Sequence, residues 1–431
     1  MSEYSPALTI ESADASSPTS EAERIKIVDI VRGFAVFGIL VVNMAWFNSP
    51  VYLYVMDVHW WTGTADRITT WFIRFFAEGK FYSLFSFLFG LGLTLQVTRA
   101  EARNARFAPL YRRRLSFLLL IGLVHGFLVW AGDILAAYAL LGFLLLLFRN
   151  RKPKTLLIWA IICLSIPVLL TGLGVVALEL GRSFPQSSQQ IEASFAQSAE
   201  GYRELTEQSL RNYSQGSFAD IMTQRIKDLG FMYFALVFIG PNIFALFLFG
   251  MYVGKRGYFQ DIVAHLPLVR RAIWYGLVFG LVGNAVYVIA REYSNPAVPT
   301  LMSFVSSAAF FVGGPALCIF YLSSLIMLAQ NQVWMKRLSP LAAVGRTAVS
   351  NYLFQSLICT TIFYSYGFSL YGKVGPALGV VFTVAIFILQ LYLSRWWLQR
   401  FRFGPVEWLW RSFTYRKVQP MRLARPTAGS I

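Results

Sequence analysis

Ten long apolar segments alternate with polar connections along the chain. Most of these segments are close to the roughly 20 residues that an α-helix needs to cross about 30 Å of hydrocarbon. The pattern therefore predicts an all-α protein, a polytopic transmembrane helical bundle of about ten spans. The predicted spans are 28–47, 79–98, 111–130, 133–149, 155–178, 229–253, 272–290, 300–328, 346–366 and 376–398.

The connections between these segments differ strongly in their content of Lys and Arg. Of the 38 basic residues, 26 fall in connections on one side of the predicted bundle and 10 on the opposite side. Basic residues concentrate on the cytoplasmic side of membrane proteins. Both termini are therefore predicted to be cytoplasmic, and the protein is expected to be a multi-pass component of a cell membrane, inner or plasma.

Two connections on the predicted outer side, 48–78 and 181–228, are too long to be simple turns. The first contains an amphipathic stretch, 66–76, which is expected to form a short interfacial helix. The second is polar with spaced apolar residues and is expected to form one or two surface helices. The predicted organisation is a disordered cytoplasmic tail (1–23), an N-terminal transmembrane half (24–228), a C-terminal transmembrane domain (229–415) and a basic cytoplasmic tail (416–431).

Composition narrows the function class. The chain is 56% hydrophobic and only 14% charged, whereas soluble domains have about 25% charged residues. The net charge of +17 comes from short blocks beside apolar segments, which favours contacts with anionic lipids at the cytoplasmic face and not with nucleic acid. The sequence contains no Walker loop, dinucleotide fingerprint, Cys/His metal spacing or GxSxG elbow. We therefore expect no metal and no tightly bound cofactor.

Charged residues at membrane depth cost about 2.5–3.5 kcal/mol each, so each needs a reason. Asp29 and Arg32 open the first span on one helical face and are expected to pair. They form either an interfacial anchor or a polar mouth for an anionic cytoplasmic ligand. Asn43 lies further along the same span, where it either lines that cavity or bonds to a neighbouring helix.

Candidate catalytic residues lie on the predicted outer side. His59 follows Asp57 in the first outside loop, and an imidazole can act as a base near neutral pH. His125 and Asp133 flank a short hairpin that is expected to bring them together, as a structural pair or as an oriented base. At the mouth of the second span, Glu78 and Lys80 form a further charge pair.

The ninth predicted span begins with a polar stretch. Arg346, Asn351 and Gln355 recur at helical spacing but do not all share one face. Hydrogen bonding between helices and contact with a substrate are both compatible with this pattern.

Several of these motifs together resemble the YeiB-like membrane proteins. The motifs lie at 24–43, 80–90, 125–135, 345–355 and 404–408. The last two resemble that family's uncharacterised C-terminal domain. The resemblance covers essentially residues 24–415.

The resemblance also implies an activity. The YeiB-like proteins are remotely similar to membrane acyltransferases, including the lysosomal heparan-glucosaminide N-acetyltransferase. Those enzymes have a similar Asp-x-x-Arg-Gly in the first span and a catalytic histidine in the first outside loop, just before a Trp. The resemblance therefore implies a catalytic role for His59, which precedes Trp60.

The leading hypothesis is a membrane acyltransferase that moves an acyl group from cytoplasmic acyl-CoA to an acceptor reached from outside. Arg32 would then meet the donor phosphates, and the acceptor would be a small molecule or an envelope component. A proton-coupled transporter of a small solute, with His125 and Asp133 as the relay, is the alternative, and an envelope scaffold is a third possibility. Besides the lipid bilayer, a second copy of the chain is a candidate partner.

Overall fold

The structure, a computed structural model, describes residues 25–54, 60–102, 107–294 and 298–423. This part of the chain is helical, apart from connections and an isolated β-bridge between Phe401 and Arg422. The helices are α1 Lys26–Asn48, α2 Thr64–Phe76, α3 Phe81–Ala102, α4 Phe107–Leu128, α5 Leu135–Leu145, α6 Pro153–Arg182, α7 Pro185–Gln215, α8 Phe218–Lys255, α9 Leu266–Glu292, α10 Leu301–Leu328, α11 Gln332–Arg346, α12 Ala348–Phe363, α13 Pro376–Leu398 and α14 Pro405–Tyr415.

The prediction of an all-helical membrane bundle is confirmed, and each of the ten predicted spans falls on a helix. Seven helical segments are long and apolar enough to cross a membrane: α1, α2 continuing into α3, α6, α8, α9, α10 and α13. α5 with the 3₁₀ turn after it, and α12, are shorter apolar helices. α4 carries Arg112, Arg113 and Arg114 in its second turn. Only the part of the helix after Arg114 contains no Arg or Lys. The chain is a multi-pass membrane protein.

The outer segments are more helical than the spacing of their apolar residues indicated. The stretch 66–76 does form a helix, α2. The second segment forms one 31-residue helix, α7, and α8 then begins at Phe218, ahead of the predicted span. The reason is a capping box, in which Ser217 and Asp220 satisfy each other's backbone N–H groups. A Ser three residues before an Asp is a readable helix start.

α11 replaces what the apolar pattern indicated to be a cytoplasmic connection. The Asn331 side chain accepts hydrogen bonds from the backbone N–H groups of Val333 and Trp334 and so starts this helix. α11 then packs directly on α1. A Cβ on Gly345 would lie 1.9 Å from the carbonyl oxygen of Asp29, and a Cβ on Gly33 would lie 2.0 Å from that of Leu341. Only glycine permits this backbone approach.

α6, α8 and α10 each contribute to the walls of the cavity described below. α6 packs against both α8 and α10. Each of the three helices has a proline in its interior: Pro167, Pro241 and Pro315, respectively. α6 is otherwise mostly exposed on the outside of the bundle, where lipid would lie.

Candidate functional site

A cavity of about 790 Å³ lies between α1, α6, α8, α10 and the connections α2–α3 and α4–α5. We name it the Asp133 cavity. Three of the predicted site residues line it: Asn43 on α1, Glu78 before α3, and Asp133 before α5. Residues separated widely in the sequence therefore meet around one open volume.

The size of the cavity argues against a packing defect. An empty void costs roughly 24 cal/mol per Å³, so a closed and dry space of 790 Å³ would cost about 19 kcal/mol on that scale. The whole stability of an ordinary domain is about 5–15 kcal/mol. A space of this size is therefore a site for solvent, lipid or ligand.

His125 and Asp133 form the predicted pair beside this cavity. The His125 Nδ1 and Asp133 Oδ1 atoms are 2.9 Å apart, and the two side chains are 2% and 0% exposed. Asp133 Oδ2 also accepts a hydrogen bond of 2.8 Å from the backbone N–H of Ala136, at the start of α5. Gly122 permits this approach, because a Cβ there would lie 2.3 Å from the Ala136 nitrogen.

The second ring nitrogen of His125 is buried beside aromatic rings, and His125 is not among the residues that line the Asp133 cavity. Its Nε2 atom is buried and has no hydrogen-bond partner among the residues that the structure describes. The rings of Tyr352 and Trp130 lie 5.2 and 6.2 Å from the imidazole. An imidazole that donates from Nδ1 to a carboxylate carries its lone pair on Nε2, which is the arrangement of a general base.

Glu78 and Lys80 also lie close together, and the structure adds partners that the sequence did not indicate. The Glu78 carboxylate interacts with Lys80, Arg291 and the Tyr287 hydroxyl. Lys80 is fully buried and its Nζ donates to the carbonyl of Arg74 at 2.9 Å. Arg291, counted in the sequence only as an outer basic residue, lines the Asp133 cavity. Nothing local in the sequence links it to Glu78.

Asp29 and Arg32 pair as predicted, with 2.8 Å between Asp29 Oδ1 and Arg32 Nη1. They do not line the Asp133 cavity. Asn43 lies about 21 Å from Asp29 along α1, at the helical rise of about 1.5 Å per residue. The structure therefore places Asn43 at the Asp133 cavity and the Asp29–Arg32 pair toward the other end of the same helix.

Arg346, Asn351 and Gln355 make contacts with neighbouring elements. Asn351 Nδ2 donates to Ser394 Oγ at 2.9 Å, and Gln355 Nε2 donates to Gln390 Oε1 at 2.8 Å, both on α13. Arg346 Nη2 donates to the carbonyl of Arg402 at 3.4 Å. These contacts agree with the helix-to-helix interpretation of the motif.

His59 and Asp57 lie outside the described residues, so the role that the resemblance implies for His59 stays a prediction. Within the described residues, no group of three or more His, Cys, Asp and Glu side chains is arranged to hold a metal ion.

A second polar cluster beside the cavity was not predicted. Asp228 on α8 accepts hydrogen bonds from the hydroxyls of Tyr52 and Tyr213, at 2.8 and 2.7 Å. Burial, reinforced by the Asp228 carboxylate, raises the pKa of both tyrosines, so they remain protonated donors. The fully buried Arg225 donates to the carbonyl of Phe127 at 3.3 Å. This cluster fixes α7 and the segment after α1 onto the helix that carries the cavity wall.

The sequence alone does not indicate this cluster, because Tyr52, Tyr213 and Asp228 are far apart along the chain. Arg225 and Asp228 were assigned to the outer connection 181–228, and the tyrosines resemble ordinary interfacial aromatics. The available signal was the capping box at Ser217, which makes the following residues part of α8.

Comparisons with known proteins identify relatives along nearly the whole chain. Residues 253–417 match a family model described as "Protein of unknown function (DUF418)". The uncharacterized protein YxaH of Bacillus subtilis (strain 168) is 40% identical over 425 residues, which cover 94% of this chain and 97% of that protein. The uncharacterized protein YeiB of Escherichia coli (strain K12) is 28% identical over 409 residues, or 92% and 98% of the two chains. This chain belongs to the YeiB-like family of membrane proteins.

Proposed function

We propose that this protein is a membrane acyltransferase in which His125 is the general base and Asp133 orients it beside the acceptor site. The observation that carries the proposal is the buried His125–Asp133 hydrogen bond of 2.9 Å next to a cavity of about 790 Å³. A buried imidazole with one nitrogen fixed by a carboxylate and the other unpartnered has the geometry of an oriented base.

The step is an acyl transfer from a thioester. His125 Nε2 takes the proton of an acceptor hydroxyl or amine as that atom attacks the thioester carbonyl carbon. The C–S bond breaks, and the departing thiolate receives the proton from the imidazolium. A new ester or amide and a free thiol result. Asp133 stabilises the imidazolium while it carries the charge.

Acyl-CoA is the proposed donor, approaching from the cytoplasm with Arg32 at its phosphates. Arg suits this role because its planar guanidinium binds phosphate through two hydrogen bonds. On the neighbouring turn of α1, the ring of Phe34 packs with those of Phe81 and Tyr321, with centroids 5.3 to 5.9 Å apart, and Phe81 itself lines the cavity. The acyl arm would have to displace these rings.

We further propose that the protein resides in the cell membrane with both termini in the cytoplasm.

The test is transfer from radiolabelled acetyl-CoA by purified protein in lipid nanodiscs, with release of free CoA thiol as a second readout. We expect His125→Gln to lose most turnover, since a general base contributes about 10²–10⁴-fold. His59→Ala is the matched comparison. Loss in His59→Ala alone would move the base to His59, as the family resemblance implies. Unchanged turnover in both variants would refute a histidine base.

A proton-coupled transporter is the second candidate, favoured by the charged residues Glu78, Asp133 and Arg291 on the wall of one cavity. Ionisable groups inside membrane proteins often form proton relays. Flux driven by a pH gradient in proteoliposomes, without release of CoA thiol by the wild-type protein, would select the transporter and exclude the enzyme.

A further inference from the structure

The walls of the Asp133 cavity differ in chemistry. The wall formed by α6 and α8 is almost entirely apolar and includes Leu170, Gly174, Ala235, Leu236, Phe238 and Ile239. The remaining walls carry most of the polar groups, including Asn43, Glu78, Arg291, Ser303 and Ser306. A ligand that complements both kinds of wall is therefore amphiphilic, with an apolar body along one side and a polar head on the other.

The apolar wall is also the wall beside the bilayer. Leu170 and Phe238 line the cavity and are 40% and 42% exposed, and α6 as a whole is mostly exposed on the outside of the bundle. α6 therefore stands between the cavity and the lipid-facing surface. On its other side, α6 contacts α10 through the hydroxyls of Thr171 and Ser307, which are 3.3 Å apart.

We propose that the Asp133 cavity binds an amphiphilic lipid that enters sideways from the bilayer past α6. Its hydrocarbon chain lies against α6 and α8, and its hydroxyl-bearing head lies at the polar groups of Asn43, Glu78 and Arg291. This inference rests on the proposed function, because the lipid hydroxyl is the acyl acceptor at His125. Hydroxyl-bearing glycerolipids and isoprenoid lipids share this chemistry.

The hydrocarbon chain and the polar head of such a lipid contribute differently to its binding. A hydrocarbon chain that moves from the bilayer into an apolar cavity exchanges one apolar surrounding for another, so the chain costs little to bind. The polar head then selects the ligand, because only a head that hydrogen-bonds to the polar wall offsets the loss of its interfacial water. A small water-soluble acceptor would leave the apolar wall without a partner.

The test uses phosphatidylglycerol with a diazirine on one acyl chain, mixed into phosphatidylcholine vesicles that contain the full-length protein. After irradiation, labelled residues are located by mass spectrometry. Any membrane protein will be labelled at outward residues such as Leu173 and Val237, which are 65% and 58% exposed. We expect additional labelling at the cavity-lining residues Leu236 and Ile239.

A matched pair of variants on α8 separates the cavity from the surface. Ala235→Phe places a ring inside the cavity and should reduce labelling of Leu236 and Ile239 by about tenfold. Val237→Phe adds a ring on the lipid-facing side and should leave that labelling unchanged. Equal labelling in both variants, or label confined to outward residues, overturns the lipid site.

His125→Gln distinguishes the lipid site from the acyl transfer reaction. The variant should retain cavity labelling while it loses acyl transfer. Cavity labelling in a wild-type protein without transfer supports the lipid site and refutes the enzyme. Transfer to a water-soluble acceptor without cavity labelling supports the enzyme and overturns the lipid site. Stronger cavity labelling by phosphatidylglycerol than by a diazirine fatty alcohol supports selection by the polar head, and equal labelling by the two overturns it.

Discussion

The two ends of the bundle use their charged side chains differently. At the basic end, defined by Arg32, Arg114 and Glu407, the charges are taken up by protein partners: Arg32 pairs with Asp29, and Arg114 stacks on Trp410 at 4.1 Å. At the cavity end, Asp133, Glu78 and Arg291 line an open volume. The charged side chains have protein partners at both ends, and at the cavity end the residues that carry them also line an open volume, where a ligand would meet them.

Glu407 illustrates how polar side chains at the basic end find hydrogen-bond partners within the protein. Its Oε1 atom accepts hydrogen bonds from the backbone N–H groups of Val349 and Ser350, at 2.8 and 3.1 Å, at the start of α12. Its Oε2 atom accepts from the Ser350 hydroxyl. A carboxylate from α14 therefore caps another helix, in a sequence motif that could equally be mistaken for a catalytic acid.

The largest expected effect lies at the cavity end, in the coupling of His125 to Asp133. We expect Asp133→Asn to lower acyl transfer because the imidazole loses its orienting carboxylate. In a double-mutant cycle with His125→Gln, the coupling should be about 0.5–3 kcal/mol in transition-state stabilisation. Single-turnover rates of the four proteins measure it. Strictly additive losses would mean that the two side chains act independently.

The next largest effect is expected at the basic end, where α1 touches α11. In Gly345→Ala, the new Cβ would lie 1.9 Å from the Asp29 carbonyl oxygen, and such overpacking typically costs about 1–3 kcal/mol. Gly92→Ala is the control, because no atom lies within 4 Å of its added Cβ. Thermal unfolding in nanodiscs should show a lower Tm for Gly345→Ala only. Equal Tm values would contradict the close contact.

A smaller effect is expected at Glu407. Glu407→Ala should cost about 0.5–2 kcal/mol, as the loss of a helix cap does. Burial raises the pKa of Glu407 above its ordinary value, despite its hydrogen bonds. A raised folded-state pKa gives stability that is fully present below the unfolded pKa and is lost as pH rises through the folded pKa.

Glu407→Gln, which cannot ionise, tests the sign of this dependence. Relative to Glu407→Gln, the wild-type protein should lose stability as pH rises from about 4.3, the ordinary Glu value, to the raised pKa. Unfolding measured at a series of pH values checks this. A wild-type stability that rises with pH relative to the variant would show that the hydrogen bonds outweigh burial.

The smallest effect on stability is expected for Arg32, whose side chain is 31% exposed. Partly exposed ion pairs contribute about 0–1 kcal/mol, so Arg32→Lys should barely change Tm. If Arg32 also meets donor phosphates, the KM for acyl-CoA should rise in Arg32→Lys, because the lysine lacks the planar fork. An unchanged KM in both Arg32→Lys and Arg32→Ala would make this residue an anchor only.

The sequence predicted those features that depend on neighbours along the chain. Span positions follow from continuous apolar runs, and the Asp29–Arg32 pair follows from helical spacing. The His125–Asp133 contact follows from a hairpin too short to hold the two residues apart. Each of these depends on local geometry, which the order of residues dictates.

The remaining features depend on contacts between distant segments. Arg291 reaches Glu78 only because α9 packs beside α2, and the Gln355–Gln390 bond depends on the rotation of α12 against α13. No local pattern encodes these arrangements. α11 was missed for another reason: its interior Pro340 and basic residues resemble a connection, and Asn331 at its start was the one usable signal.

The prolines in α6, α8 and α10 have a mechanical consequence. Each removes one N–H donor from its helix, so each of these three helices beside the Asp133 cavity lacks one backbone hydrogen bond. A helix without that hydrogen bond bends more easily at that point. The His125–Asp133 hairpin, by contrast, is held by direct hydrogen bonds. The His125–Asp133 hairpin is thus held more firmly than the three proline-containing helices, and bending costs least at Pro167, Pro241 and Pro315.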